Sequence, residues 1–448
     1  MSDVAIPDGW QQVKLGDVCE VVMGQSPPGD TVERFPTGKP LLNGPTEFTD
    51  RSPIPAQWTK RITKVAPQGS LLFCVRGSTT GKMNWADQEY VIGRGIGAIW
   101  HKSQGSLAPI VRAWIEYQLP HLLNIATGST FPNVSRDQLT NLSILLPPIQ
   151  EQKAIAHILG TLDDKIDQLR KTNSVLEDMA SALFKSWFVD FDPVKAKQEN
   201  RPTGLPKELD DLFPDSFEDS ALGPIPTGWR VGTLSDITGS VIGGDWGKSL
   251  PSETEQTRCY CIRGADIPDL QLGLLPNLPL RYLKQSSITK RKLEHGDIVL
   301  EISGGSPTQS TGRPVLIVDQ LRVVYDAPLV TSNFCRIIKF KSPRYSFYAY
   351  QWLRFLYVTD VLYQFETGTT GIKNFGYTIF STIQPLLIPN DAAIFAFEEY
   401  LSRKFARTVS VANQIRTLTN LRDTLLPKLI SGDLRVPEAE QMVAELGL

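Results

Sequence analysis

The chain repeats itself, and this repetition constrains the fold more than any other feature of the sequence. Residues 6–17 (IPDGWQQVKLGD) and residues 225–236 (IPTGWRVGTLSD) share six identical positions at an offset of 219. Residues 127–130 (TGST) match residues 367–370 (TGTT) at an offset of 240, and an apolar run ending in proline follows each motif. Chance does not readily place such landmarks twice in the same order. The sequence therefore predicts a tandem duplication, in which one mixed domain followed by one long helix occurs twice.

A long helix is predicted after the first mixed region. Residues 150–188 contain no proline and a single glycine, and their apolar residues recur in alternating steps of four and three, which is typical of a coiled coil. The two seams contain Ile155, Leu162, Leu169, Leu176 and Leu183, and Leu159, Ile166, Asn173, Ala180 and Trp187. Asn173 lies within a seam, where a polar residue typically fixes the register of the helices. At 1.5 Å per residue this helix is about 57 Å long.

A second long helix is predicted over residues 392–431. Its apolar positions include Leu401, Val411, Ile415, Leu418, Leu425 and Leu429. Lys404, Thr408 and Arg422 interrupt the pattern. A long helix with one apolar stripe needs a partner, and the other copy, packed antiparallel, is the nearest candidate. The alternative is that each helix packs only on its own domain.

Both mixed regions have the pattern of short strands separated by glycine-rich turns. Residues 69–77 and 296–304 each predict one buried strand, and short amphipathic helices are predicted over 107–124 and 344–363. The regular alternation of a doubly wound sheet is missing. The predicted fold class is therefore α+β, with two globular mixed domains separated by two long antiparallel coiled-coil helices in a pseudo-two-fold tandem duplication.

The charge of the chain changes from block to block. The predicted boundaries are 1–149 for the first mixed domain, 150–190 for the central helix, 191–221 for a linker, 222–389 for the second mixed domain, 390–433 for the distal helix and 434–448 for the C-terminal tail. Residues 150–221 carry 9 basic and 15 acidic side chains, whereas residues 222–389 carry 17 and 13. The overall net charge of −2 hides this asymmetry, which permits DNA binding without requiring it.

Other features of the sequence indicate the compartment. No apolar run is long enough to span a membrane, and the first residues lack the basic and apolar segments of a signal peptide. The five cysteines are scattered and odd in number, which argues for reduced thiols. We therefore expect a cytoplasmic protein without a membrane association.

The common catalytic motifs are missing from the sequence. Residues 77–82 resemble a phosphate-binding loop, but only three residues separate the glycines and Met83 follows the lysine. Residues 151–153 have the Glu-x-Lys spacing of many nucleases, but they begin a helix, where an acidic residue favours the helix dipole. Cys259 and Cys261 have no second cysteine pair at zinc-binding spacing, and the four histidines show no ligand pattern. We predict no catalytic residue and no metal site.

Polar, glycine-containing loops with isolated basic residues recur in both copies. The candidate DNA-binding residues are Arg76, Ser78, Thr79, Lys82, Lys248, Arg263, Arg313, Lys373 and Asn374. Glycine permits close approach of the backbone, hydroxyl groups bind phosphates, and Arg or Asn can read base edges. The alternative interpretation is that these are ordinary polar surface loops.

Four segments resemble one known family. The segments 146–156 (LPPIQEQKAIA), continuing to LDDKI at 162–166, and 183–194 (LFKSWFVDFDPV) resemble the central conserved region of type I restriction-modification specificity subunits. Residues 225–229 (IPTGW) look like the start of the second target recognition domain, and 425–434 (LLPKLISGDL) like the C-terminal signature. The distal copy departs from the central one, because it has PND at 389–391 where the central copy has PPIQEQ.

This resemblance implies a non-catalytic subunit. Each recognition domain would read one half of a split double-stranded DNA target, and the antiparallel helices would hold the halves apart. Two methyltransferase subunits would bring S-adenosylmethionine, and two restriction subunits would bring ATP and Mg. The assembled complex would be a type I site-specific endonuclease and adenine-N6 DNA methyltransferase. The partner-docking and spacer residues would be Gln150, Glu151, Ile155, Leu162, Leu169, Asn173, Leu176, Leu183, Leu418, Leu425 and Leu429.

Two other functions remain open at this point. One is a stand-alone DNA methyltransferase or nuclease with an unrecognised active site, which the missing motifs disfavour. The other is a repeat-built protein scaffold that does not bind DNA. The basic second domain disfavours the scaffold.

Overall fold

The described residues form two compact units. In the computed structural model these residues are 6–103, 105–126, 132–304, 309–368 and 372–445. The first unit contains residues 1–167 and 418–448, and the second unit contains residues 168–417. Each unit is thus a mixed region with parts of both long helices.

Short strands dominate the part of the first unit that precedes the long helix. The strands are β1 (Gln11–Lys14), β2 (Cys19–Met23), β3 (Val32–Glu33), β4 (Lys39–Leu42), β5 (Gln57–Thr59), β6 (Val65–Ala66), β7 (Leu71–Cys74), β8 (Met83–Trp85), β9 (Tyr90–Ile92), β10 (Ile96–His101) and β11 (Ser143–Leu146). The helices are α1 (Leu15–Val18), α2 (Ala108–Ile125) and α3 (Arg136–Thr140). They confirm the predicted α+β composition.

Two sheets and one ladder organise these strands. β2, β10, β7 and β8 form an antiparallel sheet in that order, and β3, β5, β4, β9 and β6 form a second sheet. β1 pairs with β11. All four residues of β7 are buried, which confirms the buried strand predicted over 69–77. Burying such an apolar strand on both faces stabilises the unit through the hydrophobic effect.

The first long helix, α4 (Ile149–Phe188), has 40 residues and confirms the helix predicted over 150–188. Its first turn contains Glu151, whose Oε2 accepts a hydrogen bond from Trp10 Nε1 at 2.9 Å. Arg435 Nη2 lies 3.2 Å from Glu151 Oε1. Glu151, which resembled part of a nuclease motif, therefore links Trp10 and Arg435 to the start of α4.

The second unit has a longer series of elements. Its strands are β12 (Phe217–Glu218), β13 (Ile225–Pro226), β14 (Arg230–Thr233), β15 (Thr238–Gly243), β16 (Thr257–Ile262), β17 (Leu280–Leu283), β18 (Ile298–Glu301), β19 (Ser303–Gly304), β20 (Pro314–Leu316), β21 (Leu329–Thr331), β22 (Cys335–Phe340), β23 (Glu366–Thr367), β24 (Lys373–Phe375) and β25 (Pro385–Ile388). Its short helices are α5 (Asp192–Gln198), α6 (Lys207–Asp210), α7 (Leu234–Ile237), α8 (Ile267–Gln271), α9 (Gln285–Arg291), α10 (Asp319–Arg322), α11 (Ser346–Val358) and α12 (Tyr377–Ile383). The second long helix, α13 (Asp391–Ser431), and a short helix, α14 (Val436–Ala444), end the chain.

The topology of the second unit repeats that of the first. Its main sheet has the order β15, β22, β18, β20, which corresponds to β2, β10, β7, β8, and all its pairs are again antiparallel. β14 pairs with β25 as β1 pairs with β11. Each unit also has one parallel pair, β4 with β9 and β16 with β21. The predicted tandem duplication is therefore confirmed. The TGST motif and the last residues of TGTT lie outside the described residues.

The two long helices pack antiparallel, as predicted. In the second unit, Asn173 Nδ2 donates a hydrogen bond to the carbonyl oxygen of Thr408 at 3.3 Å and to that of Gly273 at 3.0 Å. Six residues later on α4, Met179 meets Lys404, which precedes Thr408 on α13. In the first unit, Arg422 Nη1 donates to Asp163 Oδ1 at 2.9 Å. The side chain of Arg422 and the backbone carbonyl of Thr408 thus bind polar side chains of α4, at two of the positions that interrupt the apolar pattern of α13.

The two seams of α4 are not equivalent. The seam containing Leu159, Ile166, Asn173, Ala180 and Trp187 is buried along its whole length. In the other seam, Ile155 and Leu162 are buried, but the three leucines that follow are only half-buried. A straight α-helix drifts by about 20° per heptad from a strict 3.5-residue repeat. The seam that contains Ile155 therefore rotates gradually away from the buried side of α4 along the helix.

The burial of the residues predicted for partner docking and spacing shows which of the two roles they fit. Among the eleven residues assigned to partner docking and spacing, only Gln150 has an exposed side chain. Leu418, Leu425 and Leu429 are fully covered on α13. These residues pack the helices, so they fit the spacer role, and a partner would have to contact exposed neighbours such as Lys153 and His157.

The equivalent tryptophans Trp10 and Trp229 lie in different surroundings. Trp229 is buried among Phe188, Phe191 and Phe213, and its Nε1–H has no acceptor among the described residues. Glu151 follows Pro147 by four residues, and the residue four positions after the equivalent Pro389 is Ala393. Among the described residues, the second unit therefore lacks the hydrogen bond that Trp10 makes to Glu151 in the first unit.

Candidate nucleic-acid interface

Three segments of the first unit meet where the buried strand β7 ends. The N–H of Val75 donates to the carbonyl oxygen of Gly95 at 2.9 Å, and the carbonyl oxygen of Val75 accepts from the N–H of Val134 at 2.8 Å. An isolated antiparallel bridge pairs Arg76 with Asn133. The backbone therefore brings residues 76, 94 and 133 to one end of the four-stranded sheet.

The second unit builds the same junction at the end of β18. The N–H of Ile302 donates to the carbonyl oxygen of Phe334 at 2.9 Å, and the carbonyl oxygen of Ile302 accepts from the N–H of Phe375 at 2.8 Å. β19 pairs with β24, which places Ser303 opposite Asn374. The hydrogen bonds make Ile302 the equivalent of Val75, Phe334 of Gly95 and Phe375 of Val134.

These equivalences define two matched sets of side chains. We call Arg76, Arg94 and Asn133 the first patch, and Ser303, Asn333 and Asn374 the second patch. Arg76, Arg94, Asn333 and Asn374 are exposed, and the other two residues are half-buried. Ser303 Oγ donates to Asn374 Oδ1 at 2.8 Å. Each unit thus presents a polar patch at the same place in its fold.

One glycine in each unit lets a neighbouring loop pass close to the patch. A Cβ atom on Gly24 would lie 2.1 Å from the carbonyl oxygen of Gly93, and one on Gly244 would lie 2.0 Å from that of Ser332. Both contacts are far shorter than van der Waals distance. Glycine is therefore required at these positions, and the two residues fix the loops that carry Arg94 and Asn333.

The predicted residues of the first unit lie together. Arg76, Ser78, Thr79 and Lys82 occupy the loop between β7 and β8. Ser78 and Lys82 are exposed, whereas Thr79 is half-buried, with its Oγ1 3.6 Å from Cys74 Sγ. The Oγ1 of Thr80 donates to the carbonyl oxygens of Gly77 and Pro132, both at 2.8 Å, and so anchors the loop to the segment before Asn133.

The predicted residues of the second unit are more dispersed. Lys373 and Asn374 are on β24 at the second patch, and Lys373 Nζ lies 3.0 Å from Glu366 Oε2 and 5.0 Å from the centre of the Tyr363 ring. Lys248 is exposed and exchanges backbone hydrogen bonds with Tyr282 of β17. Lys248 therefore belongs to the smaller sheet and not to the second patch.

Arg263 is close to the end of β18 but is already paired. Its guanidinium makes two hydrogen bonds to Asp266, at 2.7 and 3.0 Å, and the carboxylate also accepts from the Arg263 backbone N–H at 2.8 Å. A Cβ atom on Gly264 would lie 2.5 Å from Glu301 Oε1, which places this turn against the end of the strand. Arg263 remains exposed and can still contact a ligand.

Arg313 requires a correction. It is 8% exposed, and its guanidinium donates to both carboxylate oxygens of Glu301, at 2.6 and 2.7 Å. A buried pair of this kind is costly to break because it leaves an unpaired charge in the interior. The predicted DNA contact by Arg313 is therefore wrong, and the residue supports the end of β18 instead.

Sequence reasoning missed Arg94 and Asn333. Neither residue was among the candidates taken from the polar loops. Because the two loops differ in length from their counterparts, the equivalent residues do not share one sequence offset. A search for polar residues just before β10 and β22 would have found both.

Burial makes Cys19, Cys259 and Cys335 unsuited to nucleophilic chemistry. All five are free and buried. Burial raises the pKa of Cys19 and Cys259 to about 12 and that of Cys335 to about 11. These thiols stay protonated at neutral pH, and the thiolate is the reactive form. Over the described ranges, no three His, Cys, Asp or Glu side chains are grouped as a metal would need, and no helix is long and apolar enough to cross a membrane.

Known proteins share the sequence features of this chain. Residues 7–178 match the family model described as the type I restriction modification DNA specificity domain. The type I restriction enzyme MjaIX specificity subunit of Methanocaldococcus jannaschii is 26% identical over 457 residues, which cover 97% of this chain and 95% of that protein. The HindI specificity subunit of Haemophilus influenzae is 26% identical over 355 residues, which cover 68% of this chain and 72% of that protein.

A solved structure shares the fold. The type I restriction-modification system S subunit of M. genitalium matches with a TM-score of 0.53 at 15% identity, over 96% of this chain and 98% of that chain. The match extends over both repeats, so the two mixed regions and the paired long helices form one known architecture.

Proposed function

We propose that this chain is a specificity subunit of a type I restriction-modification system and that it reads a bipartite DNA target with its two units. The carrying observation is that both units build the same backbone junction and present a polar patch on it. A fold duplicated with its surface patch suits a ligand that offers two similar sites, as the two halves of a split duplex target do. In this proposal residues 1–149 read one half and residues 222–389 read the other.

The chemistry of the patches and of the loops near them suits DNA. Guanidinium and amide groups can hydrogen-bond base edges, while hydroxyl and ammonium groups such as those of Ser78 and Lys82 suit the phosphate backbone. Residues 222–389 carry a net charge of +4, which favours association with a polyanion. The acidic block over 150–221, with a net charge of −6, suits contact with proteins better than contact with DNA.

In this proposal the chain itself is not catalytic, and the chemistry lies in partner subunits. We propose that two methyltransferase subunits, with S-adenosylmethionine, methylate adenine in each half of the target. Two restriction subunits, with ATP and Mg, would cleave DNA when the target is unmethylated. The complex would act in the cytoplasm, where it meets the cell's DNA.

The long helices fit the role of a spacer between the half-sites. α4 has 40 residues, so it is about 60 Å long, which is close to one and three-quarter turns of B-DNA. The buried, hydrogen-bonded Asn173 fixes the register of the pair. A fixed register suits recognition of a split target, because the paired helices cannot slide past each other.

Sequencing of methylated DNA tests this function. The chain is co-expressed with its methyltransferase partner, and methyladenine is mapped in the host genome with and without the chain. We expect methylation at one split motif, and its loss when the chain is omitted. Methylation that does not depend on the chain, with the complex intact, would contradict the proposal and favour a scaffold.

A further inference from the structure

The two patches have the same backbone but different chemistry. The first patch has two arginines, whereas their equivalents in the second patch are Ser303 and Asn333. The third position is asparagine in both, at Asn133 and Asn374. Because the surrounding hydrogen bonds are conserved between the units, the side chains at two positions account for the chemical difference between the patches.

The arginines of the first patch are available to a ligand. Arg76 and Arg94 are exposed, and neither guanidinium forms an ion pair with a carboxylate in the described part of the chain. The backbone N–H of Arg94 donates to Ser26 Oγ at 3.2 Å, which holds its loop. These two side chains therefore extend from anchored backbone, an arrangement that favours specific contacts.

The side chains in the second patch offer a different set of groups. No described residue makes a hydrogen bond to the exposed amide of Asn333, so its donor and its acceptor are both available. The amide of Asn374 keeps its Nδ2 donor, since Ser303 uses only the oxygen. The second patch can therefore both donate and accept hydrogen bonds, whereas the guanidinium groups of the first patch can only donate.

This difference matches a difference between bases. Guanine presents two acceptors, N7 and O6, in the major groove, and an arginine can donate to both. Adenine presents one acceptor and one donor, N7 and the N6 amino group, which an asparagine amide matches. Phosphates present acceptors only and are the same at every base pair, so contacts to them give no reason for the patches to differ.

We propose that Arg76 and Arg94 specify guanine in the half-site read by the first unit, and that Asn333 and Asn374 specify adenine at the equivalent place in the other half-site. This inference rests on the proposed function, since it assigns bases to a target that the chain is proposed to read. It makes these four residues specificity determinants of the complex.

Transplanting the second patch onto the first unit tests the assignment. The variant Arg76→Ser/Arg94→Asn gives the first unit the same three side chains as the second, because Asn133 is already present. The complex containing this variant is expressed, and its methylation motif is determined by sequencing. We expect guanine to be replaced by adenine at one or more positions of one half-site, with the other half-site and the spacer unchanged. Methylation of the original motif should fall by at least about 10- to 100-fold, the value of one good bidentate contact.

A matched control removes two basic residues away from the patch. Lys14 is the last residue of β1 and Lys102 follows the end of β10, whereas the patch lies beside the start of β10. Lys14→Ser/Lys102→Asn should leave the motif unchanged. If the first variant does not accumulate, Ser303→Arg/Asn333→Arg carries the test, and it should introduce guanine into the other half-site.

Two results would overturn the inference. An unchanged motif with uniformly weaker methylation would show that the arginines contact phosphates. An unchanged motif at full efficiency would show that they do not contact DNA. In either case the wild-type chain would still direct methylation to a split motif, so the proposed function would stand. A wild-type chain that directs no methylation would contradict the proposed function itself.

Discussion

At the scale of single residues, close contacts decide which residue types fit at a position and which side chains are free to bind a ligand. Gly24 and Gly244 pass so near a carbonyl oxygen that no other residue fits. Arg313 is held by Glu301, twelve residues earlier, inside the second unit. In the sequence, Arg76 and Arg313 look alike, because each is an arginine in a polar loop. The sequence could therefore suggest Arg76 as an exposed side chain, but it could not exclude Arg313 from the candidate DNA contacts.

We expect Gly24→Ala to destabilise the first unit. The added Cβ would lie 2.1 Å from a backbone oxygen, which the surrounding strands cannot easily move. Overpacking of this kind costs typically about 1–3 kcal/mol and occasionally more, and we expect about 3 kcal/mol. Denaturant unfolding followed by fluorescence measures the change. Gly29→Ala is the matched control, because a Cβ atom there meets nothing within 4 Å, and it should leave stability within about 0.5 kcal/mol of wild type. Equal effects of the two variants would contradict the close contact.

At the scale of secondary-structure elements, the sequence pattern predicted where helices and strands lie but not how the strands pair. The heptad pattern located both long helices to within one residue at their start, and the apolar runs located β7 and β18. The order of strands within the sheets was not predicted, because each pairing joins segments far apart in sequence. Nor did the pattern show which seam of α4 is buried. That depends on how the helix is rotated, which a strict seven-residue repeat does not reveal.

Asn173→Asp should weaken the packing of α4 on α13. The buried amide donates to the carbonyl oxygens of Gly273 and Thr408, and a carboxylate of the same size would face both oxygens without a donor. Burying an unpaired charge among acceptors costs several kcal/mol, so we expect a loss of at least about 3 kcal/mol. Calorimetric unfolding gives the change in stability. Ser174→Asp places the same charge on the adjacent exposed position and should have little effect. Similar losses in both variants would show that the buried amide has no special role.

Shortening both long helices by one heptad should change the spacing of the target. Seven residues are removed from α4 between Asp163 and Asn173, and seven from α13 between Thr408 and Arg422, so that both polar pairs are kept. The helices lose about 10.5 Å, and the spacer between half-sites should shorten by about three base pairs. Sequencing of methylated DNA determines the motif. An altered half-site with an unchanged spacer would contradict the spacer role.

At the scale of the whole molecule, the duplication fits the proposed reading of an asymmetric target. The repeated fold supplies two equivalent positions, and in the proposed function the different side chains at those positions would supply two specificities. Sequence repetition predicted the duplication but not the equivalence of the patches. Arg76, Arg94 and Asn133 precede their counterparts by 227, 239 and 241 residues, because loops in the second unit are longer. Only the hydrogen bonds around β7 and β18 align them.

Site-specific crosslinking to DNA can show whether each unit reads its own half of the target. A photoreactive amino acid is placed at Ser78 in the loop beside the first patch, or at Ile372, which is 60% exposed beside the second. Each variant complex is irradiated with a duplex that carries the methylation motif, and the crosslinked bases are mapped. We expect the probe at Ser78 to label one half-site only, and the probe at Ile372 to label only the other. A probe at Lys14, the last residue of β1 and away from the patch, should label neither. Labelling of the same half-site by both probes, or of neither half-site, would contradict the claim that each unit reads its own half of the target.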